Sequence, residues 1–461
     1  MDYSSANTPL WNVIIQLGIV AIVILLSNLL RRRVRFMRDS LMPTAVIGGF
    51  ILLILRSLRI LEIDVAFMEM LVYHGIALGF IAMSLRSKSL GGADGRGAGA
   101  KSGAIIVSSY LIQAIFGLAI SLGLAYTFMP DMFKAAGILL PMGFGQGPGQ
   151  ANNVGATYEA AGFAGGHSFA LSIAASGFIC ACVVGVLMLN VLAGRGKIKR
   201  VRAGEASGSM AVDSFQDKGE IPVSESVDRF SIQFALVLIV YLATFFATLG
   251  LTRLISTLAG AGAGTVNALL WGFNFIIGSV LGFLTRFILS KLRGIRIITR
   301  QYQNNYLLNR ISGLFFDLMV VAGIAAIDVR ELRGLWVPFV LFSITGAVVT
   351  WFFLAIVSRR VYKEYYYEGL LSMYGMMTGT ISSGVLLLRE IDPELETPAA
   401  GNLVSGSAFA IIFGAPMLVL IGMAYKTATM TFITLGLCVV YFALLVLFIY
   451  KGGARRNGPQ A

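Results

Sequence analysis

Three cysteines, two histidines and a charged fraction of only 13% leave this 461-residue chain little of the chemistry that enzymes and metalloproteins use. Cys180, Cys182 and Cys438 lie in apolar runs, without a paired thiol or a histidine at metal-ligand spacing, so neither a disulfide framework nor a zinc site is expected. There is no nucleophile beside a base and no Walker-type phosphate loop, so the chain is not expected to be an enzyme. Met1 to Pro9 contain Asp2 but no lysine or arginine, and therefore lack the basic start of a cleaved signal. The first apolar run is expected to persist as a helix.

What the chain has in abundance is hydrocarbon. Its hydrophobic fraction is 57%, and apolar runs near the roughly 20 residues needed to cross a bilayer recur along the whole length. The fold class expected is an all-α polytopic membrane protein whose main partner is the lipid bilayer. Eleven spans are expected near 10–30, 43–55, 68–85, 103–128, 168–192, 230–249, 266–289, 311–327, 335–357, 402–423 and 429–450. The net charge of +13 sits in short clusters between these runs, which points to membrane orientation and away from a nucleic-acid partner. With these spans, the clusters at Arg31 to Arg38, Arg86 to Lys101, Arg195 to Arg229, Lys291 to Arg310, Arg359 to Lys363 and Lys451 to Arg456 fall on one side. Only Arg56, Arg59, Lys134, Arg253, Arg330, Arg333 and Lys426 fall on the other. The basic side is cytoplasmic, which puts the N-terminus outside and the C-terminus in the cytoplasm.

Two stretches do not fit a lipid-facing helix. Gly143, Gly145, Gly147 and Gly149 alternate with bulkier residues around Pro148, and are followed by Asn152, Asn153 and Thr157. Bare peptide groups and missing donors are costly in hydrocarbon unless protein or a watery cavity covers them. The second stretch runs from Gly369 to Gly384 and holds Ser372, Thr378, Gly379, Thr380, Ser382 and Ser383. Each is expected to be re-entrant, over about 132–166 and about 368–400, because a full crossing by either would invert every later basic cluster. Five spans per half then bring the loops in from opposite sides, the arrangement of an inverted repeat. The division expected is a first repeat over 1–193, a cytoplasmic linker over 194–228, a second repeat over 229–425, and an added helix with a basic tail over 426–461.

In the first loop, Gly145, Gly147 and Gly149 bring backbone groups close to a ligand. Gln146, Gln150, Asn152, Asn153 and Thr157 supply neutral oxygens of the kind a hard cation such as Na+ accepts. Thr378, Gly379, Thr380, Ser382 and Ser383 offer hydroxyls and open backbone in the second. Arg389 is either a partner for a substrate carboxylate or an interfacial arginine paired with Glu390 or Asp392. Asp317 reads as a Na+ ligand, a proton site or a structural ion-pair partner. Gln113 and Asn274 read as hydrogen-bonding links between helices, His74 and His167 as structural, and Glu159 and Glu390 either as solvated charges at the loop exits or as substrate or ion contacts.

At Gly145-x-Gly147-x-Gly149-x-Ala151, at Gly379-Thr380-Ile-Ser382-Ser383, at Pro43-Thr-Ala-Val-Ile-Gly48-Gly49 and at Ser312-Gly-Leu-Phe-Phe-Asp317, the chain resembles the bacterial sodium/glutamate symporter family. It departs from that family at Gln146 and Pro148, where histidine and threonine are usual, and in its last apolar run. The resemblance implies a homodimer in a bacterial inner membrane that carries glutamate or a related small carboxylate with Na+, one part of each subunit moving against a scaffold. The substrate would then lie against Gly145, Gln146, Gly147, Gly149, Gln150, Thr378, Gly379, Thr380 and Arg389. Na+ would lie against Asn152, Asn153, Thr157, Asp317, Ser382 and Ser383. A proton-coupled carrier of another organic anion and a passive channel are the alternatives.

Overall fold

The computed structural model describes residues 3–4, 7–35, 37, 42–86, 95–199, 229–259, 267, 270–298, 302–392 and 397–451. Most of the linker, from 200 to 228, and the basic tail after Lys451 lie outside them. Among the described residues there is no strand. The first half is built from α1 (Thr8–Arg33), α2 (Thr44–Ser57), α3 (Val65–Leu85), α4 (Gly95–Tyr126), α5 (Pro148–Ala160) and α6 (Gly166–Gly194). The second consists of α7 (Arg229–Ala259), α8 (Asn274–Gly294), α9 (Asn305–Ala325), α10 (Trp336–Val361), α11 (Tyr366–Thr378), α12 (Ile381–Arg389), α13 (Ala399–Ala424) and α14 (Ala428–Lys451).

Ten of these helices are long and apolar enough to cross a membrane: α1, α3, α4, α6, α7, α8, α9, α10, α13 and α14. These are the properties of a polytopic α-helical membrane protein. The eleventh expected span is α2, which has only 14 residues and is about 21 Å long, against a hydrocarbon layer of about 30 Å. Proline at position 43 starts it and the basic pair Arg56 and Arg59 ends its apolar run, so the sequence contains no more helix there. Other boundaries also move. α9 begins at Asn305 because the Asn304 side chain accepts the Leu307 N–H at 2.8 Å, which places Asp317 in mid-helix and not in its second turn. Asp64 caps α3 in the same way, accepting the Phe67 N–H at 3.1 Å and an Asn12 amide at 2.6 Å. Those bonds, the Phe67 N–H first, hold its carboxyl below the usual carboxylate range, so the cap persists until the pH falls through that lowered value.

Hydroxyls inside the spans are mostly satisfied within their own helix. Ser27, Ser109, Thr244 and Ser407 donate to the carbonyls four residues earlier at 2.6, 2.9, 2.7 and 2.7 Å. Large apolar side chains such as Ile22, Leu25, Phe246 and Leu444 face outward instead. That outward apolar face costs nothing against lipid tails.

The chain forms two compact units, and both draw on each half of the sequence. One comprises Met1–Glu69, Gly91–Glu205 and Val320–Ala461; the other comprises Met70–Leu90 and Ala206–Met319. In the first unit α4 and α6 are the most enclosed spans, with 67% and 61% of their most apolar stretch buried. α2 packs there against the end of α9: Gly48 lies against Val23 and Val321, and Gly49 against Ile324. In the second unit Ile81 and Leu85 of α3 form a core with Val237 and Val240 of α7 and Leu308 and Ile311 of α9. Gly278 and Gly282 of α8 pack there against Ile81 and Ser84 of α3. Small residues permit such close helix approach where lipid provides no hydrophobic drive. A Cβ on Gly49 would lie 2.7 Å from Ile324 Cβ, whereas one on Gly18 of α1 would have nothing within 4 Å. Gly49→Val is therefore expected to destabilise the purified protein by about 1–3 kcal/mol, and Gly18→Val to leave the melting temperature nearly unchanged. Equal effects of the two would contradict this packing.

Candidate functional site

The two glycine-bearing stretches each form a pair of helical arms around a two-residue break. The first descends as a 3-10 turn over Lys134–Ile138 and a wide π turn over Pro141–Gly145. Its backbone presses directly on α4, where a Cβ on either Gly137 or Gly117 would collide with the other's main chain. Gln146 and Gly147 then break the helix, and α5 leads away from Pro148. The glycine-rich stretch is thus less irregular than its composition predicts, since Gly149, Asn152, Asn153 and Gly155 all lie within α5. Proline at the first helical position requires no N–H there, and Gly147 supplies the conformation no other residue adopts readily, φ 80° and ψ −172°.

The second stretch is α11, a break at Gly379 and Thr380, and α12. Gly375 on α11 packs against the backbone of Ser383 and Gly384 on α12, which closes the two arms together. The two breaks meet: the Cβ position of Gly147 is 3.6 Å from the Gly379 carbonyl oxygen and 3.7 Å from Thr380 Cγ2. Gly177 of α6 passes beneath them, against Phe144 and the Thr378 carbonyl. Gln113 of α4 ties the same region together, donating to Thr350 Oγ1 on α10 at 2.7 Å and to the Met377 carbonyl on α11 at 3.1 Å.

Neither α5 nor α12 has a side-chain cap, as is also true of α2, α6, α8, α10, α11 and α13, so both begin at the junction with first-turn N–H groups unsatisfied by their own helix. Several buried polar atoms around it also lack a partner among the described residues. Both amide atoms of Gln150, in the first turn of α5, are unpaired although the residue is only 1% exposed. Gln113 Oε1, which faces Gly145, and Ser383 Oγ, beside Gly379, are unpaired as well. A buried polar group without a partner costs about 1–3 kcal/mol, so a cluster of them is poorly explained as packing.

The residues expected to form the site are therefore divided. Gly145, Gln146, Gly147, Gly149, Gln150, Thr378, Gly379, Thr380 and Ser383 lie at or within one turn of the junction. Ser382 lies there in the backbone, but its side chain is outside the described residues. Asn152, Asn153 and Thr157 lie farther along α5 and bond to one another and to His167. Asn152 donates to Asn153 Oδ1 at 3.3 Å and pairs with His167 Nε2 at 2.9 Å, and Thr157 donates to the Asn153 carbonyl at 2.8 Å. Arg389 is exposed in the last turn of α12, about 13 Å along the axis from the break. Asp317 belongs to the second unit, where it is half-buried in α9 without a hydrogen bond or ion pair to a described residue.

His167 is satisfied in the way expected of a structural histidine at a helix end. Besides Asn152 it meets Glu69 of α3, with Nδ1 3.5 Å from Oε1, and its backbone N–H donates to Glu159 at 2.8 Å. Glu159 thereby caps the positive end of α6 instead of standing free at a loop exit. The signal for this lay in a carboxylate preceding a glycine-started helix, which sequence spacing alone did not distinguish from a solvated charge. Asn274 behaves as expected of a helix link, donating to Tyr73 Oη of α3 at 2.8 Å.

Comparison of the chain with known protein families, with curated proteins and with solved structures finds no match.

The unpaired Gln150 amide yields a test. Gln150→Leu is expected to raise the stability of the purified protein by about 1–3 kcal/mol, because it removes a buried amide with no partner among the described residues. A Gln150→Leu protein that melts below the wild type would contradict this.

Proposed function

We propose that the chain is a secondary active transporter that holds a small carboxylate between the two helix breaks and carries it with Na+. The observation that carries this reading is the meeting of Gly147 with Gly379 and Thr380, at the uncapped first turns of α5 and α12. Helix N-termini are ready-made anion sites, since their free N–H groups point outward and the helix dipole is positive there. The π turn and α11 end at the same junction with their carbonyl ends, which suit a cation. One junction thus offers both signs of partial charge, the combination by which broken helices in transporters hold an anion and its coupling ion.

The packing supports an inverted repeat. α2 of the first half packs by its glycines on α9 of the second, in one unit, and α8 of the second half packs by its glycines on α3 of the first, in the other. The resemblance to the sodium/glutamate symporters supplies glutamate as the substrate, an alternating-access movement of elevator type, a homodimer and a bacterial inner membrane. The charge distribution supplies an outside N-terminus and a cytoplasmic C-terminus. A second reading, with protons in place of Na+, draws on Asp317, a mid-helix carboxylate without a partner among the described residues.

Purified protein in proteoliposomes is expected to accumulate labelled glutamate or a close dicarboxylate when Na+ is higher outside, with saturation and counterflow. Gly147→Ala, which costs about 1–3 kcal/mol at that conformation, should abolish uptake. Accumulation driven by an imposed pH gradient alone, and lost in Asp317→Asn, would establish proton coupling instead. Non-saturating flux without counterflow would indicate a channel, and no flux of any small carboxylate would overturn the reading.

A further inference from the structure

An apolar groove of about 440 Å³ lies between α4, α10 and α14. Ile112 and Phe116 of α4, Phe352 and Ile356 of α10, and Phe442 and Val446 of α14 line it, and its sole polar side chain is Tyr450. Phe116, Phe352 and Ile356 are exposed, so the groove opens away from the protein interior. It follows α10 and α14 toward their C-terminal ends, where it reaches Val357 and Tyr450.

The last turns of α10 and α14 there carry cations. The Arg360 guanidinium lies over the Tyr450 ring at 5.6 Å from its centroid, which holds the cation beside the groove mouth. Arg359 and Lys451 occupy the same last turns, all three cations are exposed, and neither last turn contains a carboxylate. A tyrosine stacked under an arginine at the end of an apolar span is the chemistry of the headgroup level.

We infer that this groove is a binding site for one anionic phospholipid, with an acyl chain against α4, α10 and α14 and the headgroup phosphate at Arg360 and Lys451. The groove is too apolar to hold a soluble metabolite, and basic clusters at the ends of membrane helices recognise anionic headgroups. A second copy of the chain fits less well. A two-fold interface apposes each patch with itself, and would set this cationic rim against its own copy.

The test uses the full chain purified in detergent and analysed by native mass spectrometry with added dioleoyl phosphatidylglycerol or dioleoyl phosphatidylcholine. The wild type should retain one phosphatidylglycerol per subunit in at least tenfold preference to phosphatidylcholine. The pair Arg360→Ala and Lys451→Ala should lose that preference, and Val446→Trp, which fills the groove, should lose both lipids. Equal retention of the two lipids by the wild type, or an unchanged preference in the charge pair, would overturn the inference. A change in oligomeric mass with Val446→Trp, lipid retention being unaltered, would assign the groove to a second copy. Should Val446→Trp fail to fold, the two exposed charge substitutions decide the matter by themselves.

Discussion

A peptide group inside a bilayer must find its hydrogen-bond partner within the protein, and the architecture around the two helix breaks follows from that requirement. Each break frees N–H groups on one side and carbonyls on the other. Neither could face lipid. They are tolerated here because α4 and α6 enclose them, with Gly117, Gly137 and Gly177 letting backbone lie directly on backbone. At α5 the N-cap position is Gly147, which has no side chain to offer, and at α12 it is Thr380, whose hydroxyl makes no cap bond. On the proposed function, the groups the protein leaves unsatisfied are the ones a substrate and its coupling ion complete.

Much of this was legible in the sequence, because its signals are gross ones. Apolar runs of full span length, basic clusters between them, and glycines coinciding with amides and hydroxyls are each hard to reconcile with another fold class. The positions of the breaks were less so. Composition marks the whole of 143–157 as irregular, yet most of it is helix, because proline at 148 begins a helix as readily as it ends one. Periodicity likewise places the start of α9 too late, since Asn309 and Arg310 separate Leu307 and Leu308 from the long apolar run that follows, and the Asn304 cap marks the earlier start. The division into units was illegible: it cuts across both halves, and depends on which glycine faces meet.

The candidate residues sort by what else they are bonded to. Asn152 Oδ1 is taken by His167, whereas Thr157 gives its hydroxyl proton to its own helix backbone and keeps its oxygen lone pairs. Gln150, an amide of the same type, has both its polar atoms buried without a partner among the described residues. Residue type records what a side chain can do. Burial and bonding record what it is left to do, and only the folded chain contains that information. The same distinction applies to Gln113, which serves as a helix link through its nitrogen and faces the junction with its oxygen.

The central claim is that the two breaks touch. It is tested most directly by replacing Cys180, Cys182 and Cys438 with serine or alanine, introducing Gln146→Cys and Thr380→Cys together, and treating membranes with a short bifunctional thiol reagent. The account predicts an intramolecular cross-link, slowed by Na+ with the carboxylate substrate. If each cysteine reacts singly with a thiol reagent and the pair still never cross-links, the breaks do not meet and the site described between them does not exist.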